Sequence, residues 1–476
     1  MRRLAPTLWL ALLVSGSALA AKPTTIPEPA LATAQQLIQT ARRDTTAWNF
    51  LTDLTTEIGP RLAAGPNDQR ARDWVVARFK AMGFDKVWTE PVTYPKWVRR
   101  HESGAIVSPY PQRLVLTALG YSAGTPEGGL TAEVVPVKDL ATLKAIDPAT
   151  IKGKIVYMSF IMKQKIDGAD YGPASAIRTQ GPVIAAEKGA AAFLLRSAGT
   201  DRFQRMAHTG VTGFRDPAKA IPAAALSNPD ADQLERVLAH GKPVRVHLDL
   251  DVGMEGEYTG ANVIAEVTGR RHPKEIVAIG GHLDSWDLGT GAIDDGAGVA
   301  IAAAAAHLIS KLPARPDRTI RVVAFANEEM GLWGGRAYAK RHAGEIENHV
   351  LGVESDFGAA SIRHIYASVK PQAVGAIQQM ADALRRIDVK FVAGRPGNGG
   401  PDFSPMHAQG MAALSLPQDG NWYFDWHHTA NDTLDKVVPA QLAQNVAVYA
   451  AIAYMAAEAK GDFGSEPGAF ANDKGE

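Results

Sequence analysis

Three apolar runs, "EIVAIGG", "RVVAFAN" and "VLGVES", read as buried strands, and acidic or histidine side chains follow closely at the carboxyl end of each. No other feature constrains the fold as much, because open α/β sheets gather their ligands at the carboxyl ends of their strands. The first run leads into "GGHLDSWDLGTGAIDDGAG" and delivers His282 and Asp284, with Asp294 and Asp295 at the mouth of the helix that follows. The second delivers Glu328 and Glu329, and the third Asp356. So many carboxylates in one cleft would repel one another and neutralise by protonation. A multivalent cation resolves the conflict.

The chain has no cysteine, so a metal here must sit on histidine and carboxylate. A second source of imidazole lies near the C-terminus, where "NWYFDWHHTANDT" carries His427 and His428. His282, Asp294, Glu329, Asp356 and His428 are therefore the candidate metal ligands. Nitrogen and oxygen donors without sulfur suit zinc, with cobalt or manganese as alternatives, and a carboxylate shared between two ions makes a two-metal site. Asp284, two residues after His282 and on the same strand face, is placed to accept the other ring N–H. The glycines permit tight turns and close approach of a substrate.

The first residues, "MRRLAPTLWLALLVSGSALAAKP", have the basic start, short apolar run and small residues of an export signal, with cleavage expected after Ala20. The apolar run falls short of the roughly 20 residues that span a bilayer, so no stable membrane insertion is expected after cleavage. The expected location is periplasmic or secreted. Fifty basic side chains balance fifty acidic ones, which argues against nucleic acid as a partner.

At 476 residues the chain exceeds one typical core. Apolar residues at three-and-four spacing predict helices within 31–83, around the loop "EIGPRLAAGP". From 105 to 255 the texture is a β-rich module of short runs such as "KGKIVYMSF" and "AAAFLLRS", with helical pieces near "GPVIAAEKGA" and "PDADQLERVLAHG". Beyond it strands alternate with helices, the pattern of a mixed, mostly parallel α/β sheet covered by helices. The expected division is a signal over 1–20, catalytic-domain segments over 21–104 and 256–460, an insert over 105–255, and a disordered tail over 461–476. "AIAAAAAHLISKL", apolar almost all round, reads as a buried packing helix.

"GGHLDS", "DDGAG", "NEEMGLWGG", "ESD" and "HHTANDT", in this order, resemble the motifs of the zinc aminopeptidase and glutamate carboxypeptidase family, and in particular its carboxypeptidase Q-like branch. The resemblance covers most of the mature chain. It implies a zinc-exopeptidase-type fold with a protease-associated domain as the insert, a homodimer, and small peptides as substrates of aminopeptidase, dipeptidase or carboxypeptidase type. It also implies two zinc ions, one held by His282, Asp294 and Asp356 and the other by Glu329 and His428. Asp294 would bridge them, and a cis peptide would join Asp294 to Asp295. Glu328 matches the general base. His427 stands where many relatives carry a tyrosine that bonds the developing oxyanion, and an imidazole N–H can take that role. Arg395, Asn398 and Asp402 fall in a family segment near the substrate pocket, as does His407, which with His307, His342, His349 and His364 reads as an ordinary surface or core residue without a catalytic role. Asp432 is expected to brace the His428 loop. Two other functions fit the same scaffold: a glutaminyl cyclase-like acyltransferase with a single zinc, and a non-catalytic binding protein.

Overall fold

The strands that position the site are β1 (Lys86–Ser108), β2 (Arg245–Val267), β3 (His272–His282), β4 (Arg318–Phe325), β5 (His349–Glu354) and β6 (Ala413–Ser415). They come from a computed structural model that describes residues 22–471. The expected export signal lies outside those residues. Every residue of β4 and β5 is buried, as expected for strands covered on both faces. The order across this half of the sheet is β6, β5, β3, β4, β2. β3, β4, β5 and β6 run parallel, and β2 runs antiparallel to β4.

Register decides what meets what. Phe325 pairs with His282 across β4 and β3, and Glu354 pairs with Gly280 across β5 and β3. Glu328, Glu329 and Asp356 therefore leave their strands close to the level of His282. The helix Ala297–Ser310 packs behind them and buries every residue except His307 and Ser310. Residues Ala292–Ser310 are long and apolar enough to cross a bilayer, yet 94% of the 18-residue apolar window within them is buried inside the protein. It is a core helix.

Two glycines in the opening motif have tight surroundings. A Cβ on Gly281 would stand 2.5 Å from Asp295 Oδ2, and one on Gly298 would stand 1.9 Å from the Ser355 carbonyl oxygen. At these two positions the missing side chain makes room for the protein's own backbone and carboxylate, where the sequence had suggested room for substrate.

β1 and β2 form a ribbon of two 23-residue strands, paired from Lys86 with Glu266 to Ser108 with Arg245. Its far end continues through antiparallel pairing of β2 with Leu130–Val137. Parallel strands Ile155–Met158, Ala192–Arg196 and Ala223–Leu226 follow, closed by Leu116–Ala118. This region has its own apolar clusters, yet the strands form one continuous sheet. The boundaries expected at 104/105 and 255/256 fall inside the ribbon. β1 was not legible as a strand, because Pro91 and Pro95 interrupt it. It tolerates them because only Gly104–Ile106 pair on its second side, so most of it is an edge.

The tail expected to be disordered from 461 is instead anchored to the core at Phe463 and Phe470, with exposed residues between them. Phe463 is fully buried and Phe470 nearly so. Ser465 Oγ donates to the His349 carbonyl at 2.6 Å, and the Glu466 N–H donates to the Gly410 carbonyl at 3.1 Å. Two aromatic anchors outweigh the polar, glycine-rich texture. Gly298→Ala is expected to lose about 1–3 kcal/mol of stability, the usual cost of overpacking a filled site. Urea unfolding checks this, and an unchanged midpoint would contradict the packing described.

Candidate metal centre

The carboxyl ends of β3, β4 and β5 meet two loops, and the five expected ligands converge there. His282 is fully buried, with Nε2 3.0 Å from Asp294 Oδ1 and 3.5 Å from Asp356 Oδ1. On the other side, His428 Nε2 lies 2.9 Å from Glu329 Oε2 and 3.2 Å from Asp294 Oδ2. The two oxygens of Asp294 thus face two separate donor sets, the arrangement that a shared carboxylate requires. The Asp294–Asp295 peptide is cis. Asp295 also approaches His282 and Asp356. Its oxygens, however, accept the backbone N–H groups of His282 and Gly298 at 3.0 and 2.9 Å, so it serves the backbone.

The donors fit a cation. Among the described residues, Glu329 Oε1 is buried without a hydrogen bond, and Asp294 Oδ2 has only the two imidazoles of His427 and His428 at 3.2 Å. Buried carboxylate oxygens left this way are costly unless a cation pairs with them. Burial and the Asp294 charge push the Glu329 carboxyl up to about 7. Burial opposes charge on His282, but the surrounding carboxylates of Asp284, Asp294 and Asp356 outweigh that and hold its pKa well above the usual range. Burial likewise opposes charge on His428, which the Glu329 carboxylate holds high. Glu328 is pushed well above the carboxylate range, chiefly by burial.

Asp284 departs from the expected contact. His282 Nδ1 lies 2.9 Å from the Asp284 backbone carbonyl, and the carboxylate is farther away, at 3.6 Å. The Asp284 carboxylate accepts the backbone N–H groups of Glu328 and Glu329 at 3.0 and 3.3 Å. It ties the end of β3 to the loop after β4. Asp432 accepts the N–H groups of Ala292 and Ile293, both at 2.7 Å, so it joins the His428 loop to the Asp294 loop.

His427 stacks on His428 with ring centroids 3.6 Å apart and points Nε2 at Asp294 Oδ2. Its Nδ1 lies 2.8 Å from Nε2 of His208, a buried residue of the region between β1 and β2. Sequence reasoning missed His208. It also missed Thr209, whose N–H donates to the His428 carbonyl at 3.0 Å, and Arg61, whose buried guanidinium donates to the carbonyls of Leu283, Thr290 and Gly291. Polar residues inside the glycine-flanked stretches "MAHTGVTG" and "EIGPRLAAGP" were the available signal. Among the histidines set aside, His307, His349 and His407 bond backbone carbonyls, and His342 sits between Glu90 and Glu345.

Beside Asp356 opens a cavity of about 680 Å³ lined by Tyr366, Arg395, Asn398 and Gln418 among others. Arg395 is the only basic side chain among the described lining residues and stacks over Tyr366 at 4.2 Å. Asp402, expected in this pocket, is instead fully buried and accepts the Gly335 N–H at 2.9 Å.

Its helix-covered, mostly parallel sheet with this centre at the carboxyl edge, together with its relatives, marks the chain as a metallo-exopeptidase. The chain belongs to peptidase family M28, whose family model matches residues 262–453. Carboxypeptidase Q of Homo sapiens is 32% identical over 405 residues, covering 85% of this chain and 84% of the human one. The crystal structure of a peptidase M28 precursor from Shewanella amazonensis is 46% identical with a TM-score of 0.87, covering 90% of this chain and 96% of that one. A zinc aminopeptidase from Bacillus subtilis, 21% identical with a TM-score of 0.62 over 86% of this chain and 94% of its own, shares the fold.

The raised groups set a pH dependence. A group whose folded pKa lies above its unfolded value stabilises the metal-free fold at low pH, and that contribution is lost as pH rises through the folded value. For Glu329 the window runs from the ordinary carboxylate range to about 7. His282 and His428 act in the same direction above it. Chelator-treated protein is therefore expected to melt lower at about pH 8 than at about pH 5.5, and added metal to reverse the loss at the higher pH. Thermal scans with and without metal check this. A metal-dependent gap that narrows as pH rises would contradict it.

Proposed function

We propose that the chain is a two-zinc exopeptidase that hydrolyses small peptides and grips their free C-terminal carboxylate. The division of Asp294 between two donor sets carries the two-ion part of this reading. His282, Asp356 and Asp294 Oδ1 would hold one ion, and His428, Glu329 and Asp294 Oδ2 the other, with cobalt or manganese as substitutes. When bound, the ions would supply Lewis acidity to the scissile carbonyl and acidify the attacking water.

The remaining steps belong to the chain's own residues. Glu328 takes the proton from the water and returns it to the leaving amine nitrogen. Burial raises its pKa toward the range in which a carboxylate can do both. His427, with Nε2 directed at the centre, donates to the oxygen that gains charge. Asp284 keeps Glu328 in place through the backbone N–H it accepts. Arg395, poised over Tyr366 in the adjoining cavity, receives the terminal carboxylate. The carboxypeptidase relatives support that choice of terminus. Export by the N-terminal signal, a protease-associated insert and a homodimer complete the proposal.

Metal content per chain, measured with hydrolysis of dipeptides whose ends are free or blocked, tests it. Two ions, chelator-sensitive cleavage and loss of turnover on C-terminal amidation are expected. Dependence on a free amino end alone would move the reading to an aminopeptidase, and one ion with cyclisation of N-terminal glutamine to the acyltransferase. Glu328→Gln should lower kcat at least ~10²-fold with both ions retained. Arg395→Ala should raise KM about tenfold for free-carboxylate substrates and leave amidated ones unchanged. A uniform effect on both would remove Arg395 from the carboxylate site.

A further inference from the structure

We infer that His208, supplied by the inserted region, is a positioning residue that fixes the tautomer of His427 and so aims an N–H at the reacting centre. This inference rests on the role proposed for His427. The geometry is a short chain of imidazoles. His208 Nε2 lies 2.8 Å from His427 Nδ1, and His427 Nε2 lies 3.2 Å from Asp294 Oδ2. Both rings are buried. His208 Nδ1 is buried as well and has no hydrogen-bond partner among the described residues.

The protons follow by elimination. If His427 donated from Nδ1 as a neutral ring, its bare Nε2 would face a carboxylate oxygen, lone pair against lone pair. His208 would then have to carry its own proton on Nδ1, which no acceptor among the described residues meets in hydrogen-bond geometry, and a buried donor so left is the costlier orphan. A doubly charged form of either ring leaves that same Nδ1–H orphaned. One arrangement satisfies every donor: His208 donates from Nε2 to His427 Nδ1, and His427 donates from Nε2 toward Asp294 and the site. The outer partner of an imidazole selects which nitrogen carries its proton.

The insert holds this chain in place from several sides. The His208 N–H donates to Ser197 Oγ at 2.8 Å, and the Thr209 carbonyl lies 3.2 Å from His428 Nδ1. Arg99 of β1 reaches both Thr209 Oγ1 at 3.2 Å and Asp287 Oδ2 at 3.1 Å, linking the His208 loop to the loop after β3. Tyr171, from a helix of the insert, meets the His427 ring edge-on with centroids 5.2 Å apart. The inserted region thus contributes to the centre as well as to its wall.

Two measurements test the inference. The first is ¹⁵N NMR of histidine-labelled, metal-free protein, with the His427 signals assigned by loss in His427→Gln. A bare Nδ1 and a protonated Nε2 are expected, and a proton on Nδ1 would overturn the proposal. This readout needs no turnover, so it stands even if the peptidase reading fails. The second is the kinetics of His208→Leu and His208→Gln with metal content measured on each. Leucine cannot donate and should lower kcat about 10- to 100-fold, part of the cost of losing an oxyanion donor, with KM and bound metal near wild type. Glutamine, whose amide N–H can replace the lost donor, should recover most of kcat. Wild-type kcat in His208→Leu would overturn the proposal, as would equal loss in both variants with metal retained. If His208→Leu does not fold, the NMR result and His208→Gln still decide it.

Discussion

Like charges at the ends of aligned strands are the constraint on which this protein is built. The register of β3, β4 and β5 brings His282, Glu328, Glu329 and Asp356 to one level, and the loop before the core helix adds Asp294. Parallel strands buried on both faces cannot slip without turning every side chain over, so the carboxylates cannot spread apart. Their mutual repulsion is stored in the fold. Burial raises the pKa values of Glu328 and Glu329, the neighbouring carboxylates add to it, and a cation relieves both costs.

Around that centre the structure spends buried polar groups on holding loops. Asp284 binds the backbone of the Glu328 loop, Asp295 that of β3 and the core helix, and Asp432 that of the Asp294 loop. Arg61 gathers three carbonyls from the same loops. The segments of His282, Asp294 and Glu329 are thus each held by a second residue whose hydrogen bonds are to main chain, the kind of support that keeps a metal site in geometry. Alanine and glycine in the core helix let that helix lie close enough for Gly298 to pass beneath Ser355.

The parallel sheet, its helices and the five ligand candidates were legible because local pattern and chemistry agreed. Apolar runs ended in acidic residues, and only a cation explained the coincidence. What escaped was set by contacts remote in sequence. β1 hides behind Pro91 and Pro95, which only an edge position allows. His208 lies 219 positions from its partner His427, in a loop with no periodicity to mark it. The tail looked disordered because Phe463 and Phe470 are isolated in a polar stretch and reveal their role only once the core is assembled. Asp284 was expected on the strand face of His282, but it lies beyond the end of β3 and its carboxylate serves the backbone of the loop after β4.

The β1–β2 ribbon has a consequence for when activity begins. It joins the ligand-bearing half to the region that supplies His208 and Thr209, and those residues clamp the loop of His427 and His428. Neither half alone presents a finished centre. Assembly of the arrangement described therefore needs both sides of the ribbon, and a chain folded on one side only lacks the contacts that clamp the His427–His428 loop.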